Sequence, residues 1–144
     1  MPQRQISELI QNQSILTVAE DTDVGEAARQ MKRHKVGAAM VVRDGRLVGI
    51  FTERDALFRV IAPGLDPRAV PLSRVMTPDP MTITADKRFA HALHMMYEND
   101  FRHVPVVDNG KPVGMVSARD ALGREVMEFG SELCDREHVG EILG

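Results

Sequence analysis

The chain has no tryptophan, one tyrosine (Tyr97) and one cysteine (Cys134). Each scarcity excludes something. Single-stranded nucleic acid is usually gripped by rows of aromatic platforms, and one tyrosine with five phenylalanines is a sparse supply. A lone cysteine forms no intrachain disulfide, so stability must come from a core, and a reducing compartment suits it. No apolar run approaches the roughly 20 residues needed to cross a bilayer. The first residues, Met1-Pro2-Gln3-Arg4-Gln5, carry no apolar stretch of signal-peptide type. A cytoplasmic protein with no membrane contact is expected. Basic charge is not in excess either: 18 Lys and Arg stand against 21 Asp and Glu, a net charge of −3. That argues against a broad nucleic-acid surface. No Gly-x-x-x-x-Gly-Lys run occurs, and no Ser/His/Asp order stands out, so no constellation for a chemical step is found and the chain is not read as an enzyme.

What remains is ordinary for a globular protein: 144 residues, 43% hydrophobic and 27% charged. The length allows one domain or two small interdependent halves. Nine methionines suit adaptable packing, mostly as core gap-fillers.

The informative feature is a duplication. Residues Leu16 to Leu57 recur sixty-five positions on, as Met81 to Leu122, without a gap. Thirteen of forty-two aligned positions are identical, where roughly two or three would match by chance. Such an internal repeat sets the architecture before any other argument.

Each copy reads as strand, helix, strand, strand, helix. Ile15-Leu16-Thr17-Val18 is a short strand. Val24, Ala27, Ala28 and Met31 fall at i, i+3, i+4 and i+7, one face of a helix, and Phe89, Ala92, Leu93 and Met96 repeat the stripe. The apolar runs Ala38 to Val42 and Val104 to Val107 lead through turns with Gly45 or Gly110 into Leu47 to Phe51 or Pro112 to Val116, each pair a hairpin. A second helix starts at Thr52 or Ser117. Ahead of each copy, Ile6-Ser7-Glu8-Leu9-Ile10 resembles Leu72-Ser73-Arg74-Val75-Met76. The linker is placed at Pro63-Gly64-Leu65-Asp66-Pro67. The expected division is 1–66 for the first repeat with its leading helix, 67–123 for the second, and 124–144 for a helical extension marked by Val126, Phe129 and Leu133. Two such halves would pack sheet to sheet about a pseudo-twofold axis.

The unit that could carry chemistry is Gly-x-x-Thr/Ser-x-x-Asp. It occurs as Gly49 to Asp55, with Thr52, and as Gly114 to Asp120, with Ser117. Two readings stand side by side. Ser or Thr followed three residues later by an acid is a capping box. The same atoms suit a nucleotide: free amides at a helix start favour phosphate, a carboxylate one turn on can accept from two ribose hydroxyls, and Arg54 or Arg119 between them can meet phosphate.

In this pattern and order, the repeat resembles a cystathionine-beta-synthase (CBS) domain, and the tandem resembles a CBS pair, or Bateman module, over about residues 6 to 123. The resemblance implies an α+β fold and two clefts for adenosine ligands: AMP, ADP, ATP, NAD or S-adenosylmethionine. It implies that each cleft mixes the repeats. Ser117, Arg119 and Asp120 would face an adenine wall of Leu16, Val36, Gly37 and Ala38, with Met115 as lid and Arg102 and His103 toward phosphate. Thr52, Arg54 and Asp55 would be joined by Ile50, Thr77, Met81 and Phe101. Because Gly37-Ala38 stands where the other repeat has Arg102-His103, the second cleft is expected to be less positive and the first to hold phosphorylated ligands more tightly. The resemblance also implies a homodimer. With no catalytic domain attached, the reading is a stand-alone regulatory sensor acting through an effector protein; a ligand-free dimerisation scaffold is the alternative.

Three other features are weighed. His91 and His94, with Glu98, have spacing that can hold a metal, but the apolar stripe turns them to solvent, and no metal is expected. His103 is either a surface histidine at a strand start or a phosphate contact. Cys134, among acids from Glu132 to Glu137, is expected to be a plain thiol.

Overall fold

The computed structural model describes residues 4–121. Its two hairpins follow from turn chemistry. Strands β2 (Ala38–Arg43) and β3 (Arg46–Thr52) pair antiparallel, as do β5 (His103–Asp108) and β6 (Lys111–Ser117). Asp44-Gly45 holds φ of 52° and 76°, and Asn109-Gly110 holds 51° and 80°. Two successive positive φ values are what a type I′ turn requires, and Asp-Gly and Asn-Gly meet it. Both hairpins shift register at the same place, Val41/Val42 and Val106/Val107. The duplication therefore extends to a β-bulge.

In the first repeat, β1 (Thr17–Ala19) lies parallel to β2, and α2 (Val24–His34) makes the crossover. The Asp23 side chain caps α2 by accepting from the Glu26 amide at 2.8 Å. Strand β4 (Thr77–Pro78) adds to β3, giving the order β1-β2-β3-β4. The second repeat is leaner. Its counterpart of β1 shrinks to one parallel bridge, Ile83 to Val106. Its counterpart of β4 is a side chain: Gln13 donates to the Met115 carbonyl at 2.7 Å and accepts from the Met115 amide at 2.8 Å. An amide side chain there makes the pair of bonds that a neighbouring strand would make.

The helix stripes hold with one correction. Val24, Ala27 and Met31 are buried, as are Phe89, Ala92 and Met96 of α5 (Phe89–Asn99). Ala28 is exposed, because three positions suffice to cover the sheet and the fourth turns past its edge. Helix α3 (Glu53–Asp55) runs on as a π-helix over Ala56–Ile61, closed by Ala62 N–H to the Leu57 carbonyl at 2.9 Å. The expected extension 124–144, and Cys134 with it, lies outside the described residues.

The repeats exchange their leading helices. Helix α1 (Ile6–Ile10) does not serve the first core: Ile6, wholly buried, packs with Ile83, Phe89, Val104 and Val116 of the second. Helix α4 (Leu72–Val75), from beyond the linker, fills the first core with Leu72 and Val75. The backbone bonds match pairwise. Ile6 and Ser7 donate to Lys87 and Ala85 at 3.0 and 3.1 Å, and Leu72 and Ser73 donate to Thr22 and Glu20 at 2.9 Å each. A division at 66/67 thus separates each short helix from the core it completes. The reason is burial: a five-residue helix carries one apolar face, and the open end of the other repeat is what covers it.

Shared cores make the two repeats one folding unit. Ile6→Ala should cost about 2–5 kcal/mol, as a buried large-to-small change does, and both halves should lose protection together. Urea unfolding followed by hydrogen exchange in each hairpin tests this; a destabilised second repeat beside an unaffected first would refute it.

Candidate functional site

The motif glycines owe their place to crowding rather than to phosphate. A Cβ at Gly114 would sit 2.5 Å from Ile10 Cγ2, and one at Gly49 would collide with Met76 Sδ. Ile10 and Met76 end the two matched segments ahead of the repeats, so the glycine is where the exchanged segment presses on the hairpin.

The capping box forms in full at the first motif. Thr52 Oγ1 accepts from the Asp55 amide at 3.1 Å, and Asp55 Oδ2 accepts from the Thr52 amide at 3.0 Å. At the second, Asp120 Oδ2 accepts from the Ser117 amide at 2.8 Å. Arg4, foreseen by no pattern, lies over the Phe89 ring at 5.0 Å and donates to the Asp120 carbonyl at 3.1 Å, tying the chain start to this turn. A carboxylate has roughly four acceptor positions, so capping does not exhaust it.

Two clefts open between the repeats. The first, about 820 Å³, gathers Leu16, Val36, Gly37, Ala38, Arg102, His103, Met115, Ser117, Arg119 and Asp120. The second, about 510 Å³, gathers Ile50, Thr52, Arg54, Asp55, Thr77, Met81 and Phe101. The residues assigned to each cleft thus line a common space. Leu16 and Ile50 are buried, whereas Val36 and Met81 are exposed. The exposed Arg54 guanidinium stands 5.8 Å over the Phe58 ring and 4.0 Å from Asp100. His91 and His94 are exposed, and His94 pairs with Glu98 at 3.0 Å. Among the described residues no cluster of three or more potential metal ligands forms.

The charge argument needs correction. Arg102 and His103 line both clefts, as does Glu53, because the start of β5 forms the wall between them. They cannot make one cleft more positive than the other. The asymmetry comes instead from Lys32 and Lys35 in the first cleft, beside Arg102 and Arg119, against only Glu53 and Asp120. In the second, Arg54, Arg59 and Arg102 meet Glu53, Asp55, Asp79 and Asp100. Lys32 and Lys35 escape a reading of the sequence, although their places one turn before Val36 and directly before it are a signal for them. Arg59, four residues after Asp55, could likewise have been found as an i,i+4 partner.

The family model of the CBS domain matches residues 6–62 and again 72–126. The chain belongs to the CBS domain family. Among curated relatives of this CBS pair, the uncharacterized 17.7 kDa protein in the bps2 3′ region of Acidianus ambivalens is 35% identical over 134 residues, covering 89% of this chain and 80% of that protein. The CBS domain-containing protein CBSCBSPB3 of Arabidopsis thaliana is 38% identical over 126 residues, 83% of this chain. The CBS pair spans only 23% of that protein's length. Among solved structures, a CBS domain protein from Pyrobaculum aerophilum complexed with AMP is 29% identical with a TM-score of 0.74, covering 81% of this chain and 88% of that one. A CBS-domain containing protein from Agrobacterium tumefaciens is 32% identical with a TM-score of 0.73, covering 82% and 88%.

His103 is the titratable group to watch at the wall between the CBS clefts. Burial pushes its ring below the ordinary 6.5; the carboxylates of Glu53 and Asp120 pull the other way, and Arg102 reinforces the drop. A histidine depressed in the folded state contributes stability above its unfolded value, lost as pH falls below 6.5 toward the folded value. His103→Gln should therefore flatten the acid side of the stability curve below pH 6.5. Urea midpoints across that range would show it, and an unchanged slope would show that the ring is not held neutral.

Proposed function

We propose that the chain is a CBS-pair regulatory module that binds an adenine nucleotide in the Ser117–Asp120 cleft and passes on the binding as a change of shape. The observation that carries this reading is the composition of that cleft. An apolar wall from one repeat (Leu16, Val36, Ala38) faces a helix start with its acid, Asp120, from the other, and Lys32, Lys35, Arg102 and Arg119 surround the space between. Apolar wall, ribose acceptor and phosphate cations are the three needs of a nucleotide, and about 820 Å³ is of ligand-cleft size. Four cations against two carboxylates favour AMP, ADP, ATP or NAD over S-adenosylmethionine, whose sulfonium such a cleft repels. The AMP complex of the Pyrobaculum relative supports the same ligand class.

A ligand moves such an equilibrium only by binding one state better than the other. The clefts lie between the repeats, so closing a cleft on a ligand moves one repeat against the other. The output passes to an effector protein in the cytoplasm, from a homodimer that can use the exposed apolar residues Leu57, Phe58 and Ile61. One observation favours the ligand-free scaffold for the other cleft: Asp55 there is buried and, beyond the cap amide, already faces Thr77 Oγ1 and the Arg59 guanidinium.

At about one hundred times its dissociation constant a ligand adds roughly 2.7 kcal/mol, a rise in midpoint of about 5 to 10 °C for a chain of this size. A thermal-shift series with AMP, ADP, ATP, NAD and S-adenosylmethionine should show this for a phosphorylated nucleotide. Asp120→Asn, which keeps an acceptor for the Ser117 amide, should weaken that binding about tenfold or more. No shift with any of them, on protein first freed of bound nucleotide, would transfer the argument to the scaffold.

A further inference from the structure

We propose that Arg59 is an internal latch on the Thr52–Asp55 cleft, holding the carboxylate that a ligand's vicinal hydroxyls need. The inference rests on the nucleotide reading of the clefts and adds to it a residue that decides whether the second one opens. Asp55 is only 7% exposed, and donors converge on it from three sides. The Thr52 amide donates to Oδ2 at 3.0 Å, Thr77 Oγ1 lies 3.4 and 3.5 Å from the two oxygens, and Arg59 Nε lies 3.5 Å from Oδ1. A diol that donates to both oxygens therefore meets the Arg59 guanidinium at Oδ1, where the ion pair stands. The Thr52 amide is fixed by the helix start. Thr77 is fixed at its backbone, paired with Ile50 in the sheet.

Arg59 is the partner able to leave. Its side chain is 48% exposed and lines the cleft. It is also anchored elsewhere: Nη1 donates to the Met76 carbonyl at 2.9 Å and approaches that of Val75 at 3.5 Å. The guanidinium thus bridges the acid and the end of the exchanged helix α4. A ligand taking Asp55 costs that bridge, and a half-exposed arginine gives it up at modest expense. The competing role, a phosphate partner, predicts the opposite sign, and adenosine, which has no phosphate, separates the two.

The experiment is isothermal titration of adenosine and of AMP into the full chain carrying Asp120→Asn, with and without Arg59→Gln. The latch predicts that Arg59→Gln tightens both probes by about threefold to tenfold, the scale of one partly exposed ion pair, with Arg59→Lys between. AMP weakened by Arg59→Gln with adenosine unchanged would make Arg59 a phosphate partner and overturn the latch. Binding of both probes left unchanged by Arg59→Gln would also overturn it. Should the variants unfold, the Arg59 Nε–H resonance of the wild type must move as adenosine saturates; a resonance that stays put is equally fatal. Failure of the wider reading looks different: neither probe would then bind the wild type at either cleft. A wild type that binds at Asp120 while Arg59→Gln adds nothing sinks the latch alone.

Discussion

Everything in this fold hangs on the exchange of two short helices. Neither repeat closes its own core: Ile6 seals the second and Leu72 the first. Each exchanged segment is pinned by matched backbone bonds and then pressed onto the opposite hairpin, Ile10 against Gly114 and Met76 against Gly49. The turns of the hairpins also meet, with Leu47 N–H donating to the Gly110 carbonyl at 2.9 Å. The space between the repeats is therefore bounded on both sides by fixed structure, so the two clefts have defined walls.

That arrangement makes one strand start serve two clefts. Arg102 and His103 at the head of β5, with Glu53 across from them, border both spaces. Charge brought into one cleft is felt by groups that face the other. His103 is half-buried, and desolvation lowers its proton affinity against the pull of Glu53 and Asp120, so an anion at this wall would raise it. In the proposed reading, helix capping and ligand recognition draw on the same carboxylates, and the clefts differ both in their cations and in the partners already at each acid.

Much of this was legible in the chain. Asp-Gly and Asn-Gly between apolar runs identify hairpins because few residues tolerate two positive φ values in succession. Thr52 and Asp55 identify a helix start because each side chain accepts from the other residue's amide. The duplication also places the two motif acids, Asp55 and Asp120, at equivalent turns. The misreadings were of a different kind. Ala28 fits the period of a buried stripe, but a small residue at its margin is decided by the width of the surface beneath. The division at 66/67 follows sequence order, which cannot show that a helix packs on the other repeat. The charge argument treated Arg102 and His103 as belonging to one cleft, since a sequence alignment has no walls that two spaces can share.

The sequence by itself determined the repeat, the hairpins, the helix caps and the CBS family, because each rests on local geometry or on a pattern repeated along the chain. Only the tertiary structure decided which core each leading helix enters, that Gln13 stands in for a strand, that Lys32 and Lys35 join the first cleft, and that Arg59 stands beside Asp55 in the second. Those outcomes depend on distances between residues far apart in the chain. Such distances are set by which apolar faces remain uncovered once each repeat has folded as far as it can alone.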